Sequence, residues 1–156
     1  MANRIKQATT LLELARACRQ APAEIARVTR DARNSLAGVL LSDLTLITPV
    51  DTSQALSNWV VSPAPAGSEL PPHVEGKGGS TRNASAKVAY AKGKSAMRKI
   101  PVGTSLFLVN YAGHIDLLEY KGVSPQQAKG FVARTVANAA AQADVVLAQE
   151  LSKRGY

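Results

Sequence analysis

From Pro22 to Ile47 the apolar residues Ile25, Val28, Ala32, Leu36, Val39, Leu40, Leu44 and Ile47 recur every three or four positions, with Arg27, Arg30, Arg33 and Asp43 between them. That period predicts one long amphipathic helix, the strongest constraint on how the chain can fold. Pro22 suits its first turn, where a missing N–H costs nothing, and Glu24 favours the positive helix end. A separate helix is expected before it, from Ile5 to Arg19. Thr48-Pro49 stops the long helix, because proline lacks a backbone donor and disfavours helical geometry in the residue before it.

After the stop the period changes. Asn58 to Ser62 reads as a strand opening into the proline-rich loop VVSPAPAGSELPPH, and EGKGGSTRNAS reads as flexible. ASAKVAYAKGKSAMRK returns to helix formers. Val102-Gly103 reads as a turn, and SLFLVN as a strand buried on both faces. A short helical piece follows around His114 to Glu119, ended by Gly122. Ser124-Pro125-Gln126-Gln127 has the form of a capping box, and Phe131 to Leu151 the pattern of a second long helix, stopped by Lys153-Arg154-Gly155. The expected class is α+β: a small, mainly antiparallel sheet flanked by long N-terminal and C-terminal helices. One domain over 1–156 is expected, with a flexible basic segment around 63–99.

With 46% hydrophobic and 19% charged residues, the 156-residue chain is in the range of a folded protein that needs no disulfide or metal. LAGVLLSDLTLI is broken by Ser42 and Asp43, so no membrane span is expected. MANRIKQATT has no apolar stretch behind its basic residues, so synthesis and residence in the cytoplasm are expected. Cys18, at helical spacing among Leu11, Leu14 and Ala15, reads as a small buried hydrophobe.

Charge is concentrated. Of 19 basic residues, Lys77, Arg82, Lys87, Lys92, Lys94, Arg98 and Lys99 lie between Gly76 and Lys99, with no acid among them. That leaves 12 basic against 11 acidic residues elsewhere, so an electrostatic partner would meet this segment.

The residues for chemistry do not come together in the sequence. His73 and His114 have no second histidine at ligand spacing, no G-x-S-x-G positions a nucleophile, and GKS at Gly93 to Ser95 lacks the earlier glycine of a phosphate loop. No catalytic residue, metal or cofactor is expected. Asn83-Ala84-Ser85 is a glycosylation sequon in form only, given no secretory signal.

TPVDTSQALSNW, from Thr48 to Trp59, ends the long helix and leads onto a strand. Together with LFLVNYAGHIDLLEYKG and SPQQAKGFVARTVANA it resembles the tail-component or tail-completion family of long-tailed bacteriophages. The pattern of that family is Thr-Pro-Val-Asp-Thr-Gly with a basic residue soon after, often Asn-Trp, and later Leu-Glu-Tyr-Gly. The resemblance covers most of positions 22–145. Ser53 stands at the position of the pattern's last glycine, Gln54 and Ala55 where arginine is common, and Lys121 is inserted between Tyr120 and Gly122.

The resemblance implies a structural virion protein of the neck, made in the host cytoplasm, that completes or terminates the tail tube or joins it to the head. It would act as a ring of six or twelve copies around a DNA passage. Its partners would be its own copies and neighbouring neck, portal-side or tail-tube proteins, with transient DNA contact possible and no membrane. Pro49, Asp51, Thr52, Trp59, Asn110, Tyr111, Glu119 and Tyr120 carry the motif. Physically, Pro49, Asp51 and Thr52 make a corner, Trp59 anchors it, and Glu119 is expected to hold neighbouring backbone rather than catalyse. The seven basic residues are the expected subunit or DNA contact, with protein favoured because a passage that releases DNA should not hold it. A basic nucleic-acid-binding protein and an assembly hydrolase or nuclease are the alternatives.

Overall fold

The computed structural model describes the backbone of residues 11–155 and the side chains of residues 20–155. The chain is α+β. Helix α1 (Leu11–Ile47) is followed by the single turn α2 (Gln54–Ser57), strand β1 (Trp59–Ser62), helix α3 (Arg82–Lys99) and strand β2 (Phe107–Asn110). A π-helical turn (Leu117–Lys121) then leads to α4 (Phe131–Ala141) and α5 (Ala143–Ser152). The two strands pair antiparallel in the register Trp59↔Asn110 and Ser62↔Phe107.

α1 is the axis of the fold, and α3, α4 and α5 all pack on it. Leu41 and Leu44 of α1 meet Trp59 and Val61 of β1 and Met97 of α3 in the main core. α3 turns a stripe of small residues inward, Ser85, Ala89 and Gly93, followed by Met97. Gly93 is there because α1 crosses close by: a Cβ would collide with Leu41 Cδ2 and come within 3.2 Å of Val61 Cγ2. A mid-helix glycine costs roughly 0.5–1 kcal/mol relative to alanine, and the close crossing offsets it. A second cluster joins Ala55, Ala112, Leu118 and Phe131.

Four sequence expectations change. α1 runs unbroken through Pro22 rather than starting there. An internal proline costs about 3 kcal/mol, which the packing of the rest of α1 on three other helices outweighs. The part of the predicted first helix before Leu11, and the Cys18 side chain, lie outside the described residues. β2 is shorter than 105–110 and is not buried on both faces: Phe107 is exposed and Leu108 to Asn110 are half-buried, because α3 packs on β1 rather than on β2. The capping box at Ser124 starts no helix. α4 begins at Phe131 after Gly130 in the left-handed region, and Gln126 is used elsewhere. The last helix is divided at Gln142, whose N–H bonds Ala139 O three residues back. The alanine run at 139–141 offers no large side chain to hold the axis straight, and Asp144 favours the new N-terminus.

Candidate functional site

The corner after α1 is built from backbone-seeking side chains. Thr48, fully buried, donates from Oγ1 to Leu44 O (2.5 Å) and accepts from Trp59 Nε1 (2.8 Å). The hydroxyl that ends the helix therefore also satisfies the indole, which is only 6% exposed. Buried Pro49 leads to Val50, whose backbone is paired as if by a strand: Val50 N donates to Gln126 Oε1 and Gln126 Nε2 donates to Val50 O, each at 2.8 Å. Asp51 accepts from Gly78 N at its carboxylate and from Gly79 N at its carbonyl. Thr52 is exposed and makes no side-chain hydrogen bond among the described residues.

Ser53 is the single non-glycine residue with positive φ among the described residues, at 63°. Its hydroxyl lies 2.7 Å from Thr81 Oγ1, at the start of α3. The tract that composition reads as flexible is thus tied to the corner through Gly78, Gly79 and Thr81. Asn58, also fully buried, uses both ends of its amide: Nδ2 donates to Gln54 O and Leu70 O, and Oδ1 accepts from Leu70 N. Ser57 Oγ accepts from His73 N. These bonds strap the proline-rich loop to α2.

The second motif block meets the first. Asn110 Nδ2 donates to Ala55 O, Asn110 Oδ1 accepts from Ala112 N, and Tyr111 N donates to Asn58 O. The Tyr111 ring packs under Gly67, where a Cβ would lie 2.5 Å from it. Glu119 is buried and caps α4: its two carboxylate oxygens accept from Val132 N (2.8 Å) and Ala133 N (3.1 Å), and its carbonyl accepts from Gly130 N. A carboxylate across the first amides of a helix satisfies orphan donors at the positive helix end. Tyr120, by contrast, is 73% exposed and outside this network.

The seven basic residues separate into roles. Arg82 is not free: Nη1 donates to Leu46 O at the end of α1, and Nη2 to Gln126 Oε1. Lys77, Lys87, Lys92, Lys94, Arg98 and Lys99 are exposed, and none forms an ion pair among the described residues. Lys94 Nζ lies over the Tyr90 ring at 5.4 Å, and Lys92 Nζ approaches His73 Nδ1 at 3.4 Å. Partial burial, and then the charge of Lys92, holds the His73 pKa below its usual 6.5.

His114 is exposed, and no group of three His, Cys, Asp or Glu could hold a metal ion among the described residues. No described helix is long and apolar enough to cross a membrane. A groove of about 700 Å³ between α1 and α3 is lined by Asp31, Asp43, Tyr90, Lys94 and Arg98. Sequence reasoning missed Gln126, Arg33 and Asn58. Arg33 bonds the carbonyls of Ile100, Pro101 and Thr104 beyond α3. None of these pairings has a local signal, although the Asn beside Trp59 marked its position. Compared with known proteins, the chain matches no family model, no curated protein and no solved structure.

Proposed function

We propose that this chain is a non-enzymatic structural subunit of a phage neck ring, completing or terminating the tail tube or joining it to the head around a DNA passage. The observation that carries the reading is Ser53. It occupies the left-handed region at the position where the resembling pattern has glycine, the residue that region favours. The reading is supported by the convergence of the two motif blocks, since Trp59 pairs with Asn110 and Glu119 caps the helix that follows. Asp51, Asn110 and Glu119 of the motif are occupied with backbone, which suits a scaffold.

A ring needs a heterologous contact between copies. Leu117, Tyr120 and Val123 are 41%, 73% and 59% exposed within seven residues of chain. Such an apolar and aromatic group fits the core of a protein interface. Native mass spectrometry of the full chain, with electron microscopy, tests this. Closed rings of six or twelve are expected, and Tyr120→Asp should return them to monomers. A chain that remains monomeric at high concentration and is absent from the neck of the virion would overturn the reading.

A further inference from the structure

The outward face of α3 carries a charge pattern that the corner does not explain. At 100° per residue, Lys87, Lys94 and Arg98 fall within roughly 40° of one another, and Lys92 and Lys99 within roughly 20°. The two rows stand roughly 130° apart around the helix. Between them the helix presents Ala84, Ala91 and Ser95, all exposed and all small, with half-buried Val88 at the Lys92 edge beside Leu70 to His73. The longer row spans about 16 Å of helix axis.

Two features decide what fits this face. It has no apolar anchor, because every exposed large hydrophobic residue of the described chain lies outside α3. Protein interfaces centre on aromatic and aliphatic anchors and are depleted in lysine, so this face is a poor protein-docking surface. Among the described residues no acidic cluster covers it either. Glu24, Asp31 and Glu150 are engaged with Arg154 and Lys153, Glu119 caps α4, Asp51 and Glu69 hold backbone amides, and the remaining carboxylates are scattered. Asp43 lines the groove beside Lys94 and Arg98 without pairing to either.

We propose that α3 docks on the sugar–phosphate backbone of double-stranded DNA, the two basic rows meeting the two strands across the major groove. A helix about 10–12 Å in diameter fits a groove about 12 Å wide. Rows on opposite flanks reach phosphates on opposite strands, and small residues between them permit close approach. Alanine and serine there read few base edges, so binding is independent of sequence. Stacking aromatics, which single-strand binding uses, are not needed for a duplex backbone. Sequence-independent contacts to phosphate also let protein and duplex slide along one another, so a moving duplex would not be trapped.

The inference rests on α3 and not on the ring reading, so a monomeric chain would leave it standing. The test is fluorescence anisotropy of the full chain on a labelled 20-base-pair duplex, between 50 and 200 mM salt. Five phosphate contacts predict a log–log slope of about −4.5, and Lys87→Gln/Lys94→Gln/Arg98→Gln should leave about −1.8. Lys92→Gln/Lys99→Gln should lose about two contacts, and Lys121→Gln, away from α3, none. Circular dichroism confirms that these surface variants remain folded. Two outcomes would overturn the proposal: poly-glutamate competing as well as unlabelled duplex, which assigns the face to an acidic protein, or a slope that the triple variant leaves unchanged.

Discussion

α1 is held at its two ends by different physics. At its C-terminus, Thr48, Trp59, Asn58 and Gln126 make hydrogen bonds between neutral groups, mostly buried. Nearer its N-terminus, α5 and the residues after it are held by charge: Arg154 pairs with Glu24 (2.7 Å) and Asp31, Glu150 accepts from Ser35 (2.8 Å), and Lys153 pairs with Glu150 (2.6 Å). Glu150 is buried, but its partner Lys153 and the groups Glu24, Asp31 and Arg154 are partly or largely exposed. Neutral buried bonds are expensive to leave unmade, whereas half-exposed ion pairs contribute little and respond to salt. The corner should therefore set global stability and the clamp should set local opening of α5.

The largest effect expected is from Trp59→Ala, which removes a buried aromatic and leaves a cavity, destabilising by about 3 kcal/mol or more. Chemical denaturation measures it. A loss below about 1 kcal/mol would remove the asymmetry between the two ends. Thr48→Val comes next. It keeps the shape but leaves the indole N–H without an acceptor, for a loss of about 1–3 kcal/mol. If the loss is negligible, the Thr48–Trp59 bond does not specify the corner.

Acid separates the two ends at a smaller scale. The hydrogen bond from Arg30, and the charges of Arg30 and Arg154, hold Asp31 below its ordinary 3.8. Lys153 first and Ser35 second hold Glu150 below its ordinary 4.5. Carboxylates with depressed folded pKa stabilise above their unfolded values, and that contribution is lost as pH falls through the folded ones. The clamp should thus weaken below about pH 4. His73 is depressed as well, so its neutral form is favoured in the fold, and the strap beside it should begin to weaken as pH falls below 6.5. Hydrogen exchange should show residues 70–73 loosening before α5 on acidification, and α5 alone loosening in 1 M salt. The reverse order would break the comparison.

The parts legible in the sequence are those with a local signature. The 3.6 period and Thr48-Pro49 located the end of α1, the lone tryptophan marked the core side of β1, and the apolar run SLFLVN found its partner strand. What stayed hidden is pairing over distance. Gln126 reads locally as part of a capping box, yet it bonds the backbone of Val50, 76 residues away. Gly93 reads as part of a GKS tripeptide, but its role is to let α1 pass. The exposed face of α3 was legible as charge, whereas the withdrawal of Arg82 into the corner required the fold.

The smallest effect, and the sharpest, concerns Ser53. An L-residue in the left-handed region costs about 1–2 kcal/mol, and the Ser53–Thr81 hydrogen bond returns about 0.5–1.5 kcal/mol. Ser53→Gly removes both the strain and the bond, and also raises the entropy of the unfolded chain, so the net change should stay within about 1 kcal/mol. Ser53→Ala keeps the strain and loses the bond, so it should be destabilised by about 1 kcal/mol and be the less stable of the two variants. The gap between glycine and alanine isolates backbone geometry, because neither can bond Thr81. Equal stability of the two would mean that Ser53 is not held at positive φ. The corner would then be fixed by its hydrogen bonds alone, and the support that this position lends to the neck-ring reading would disappear.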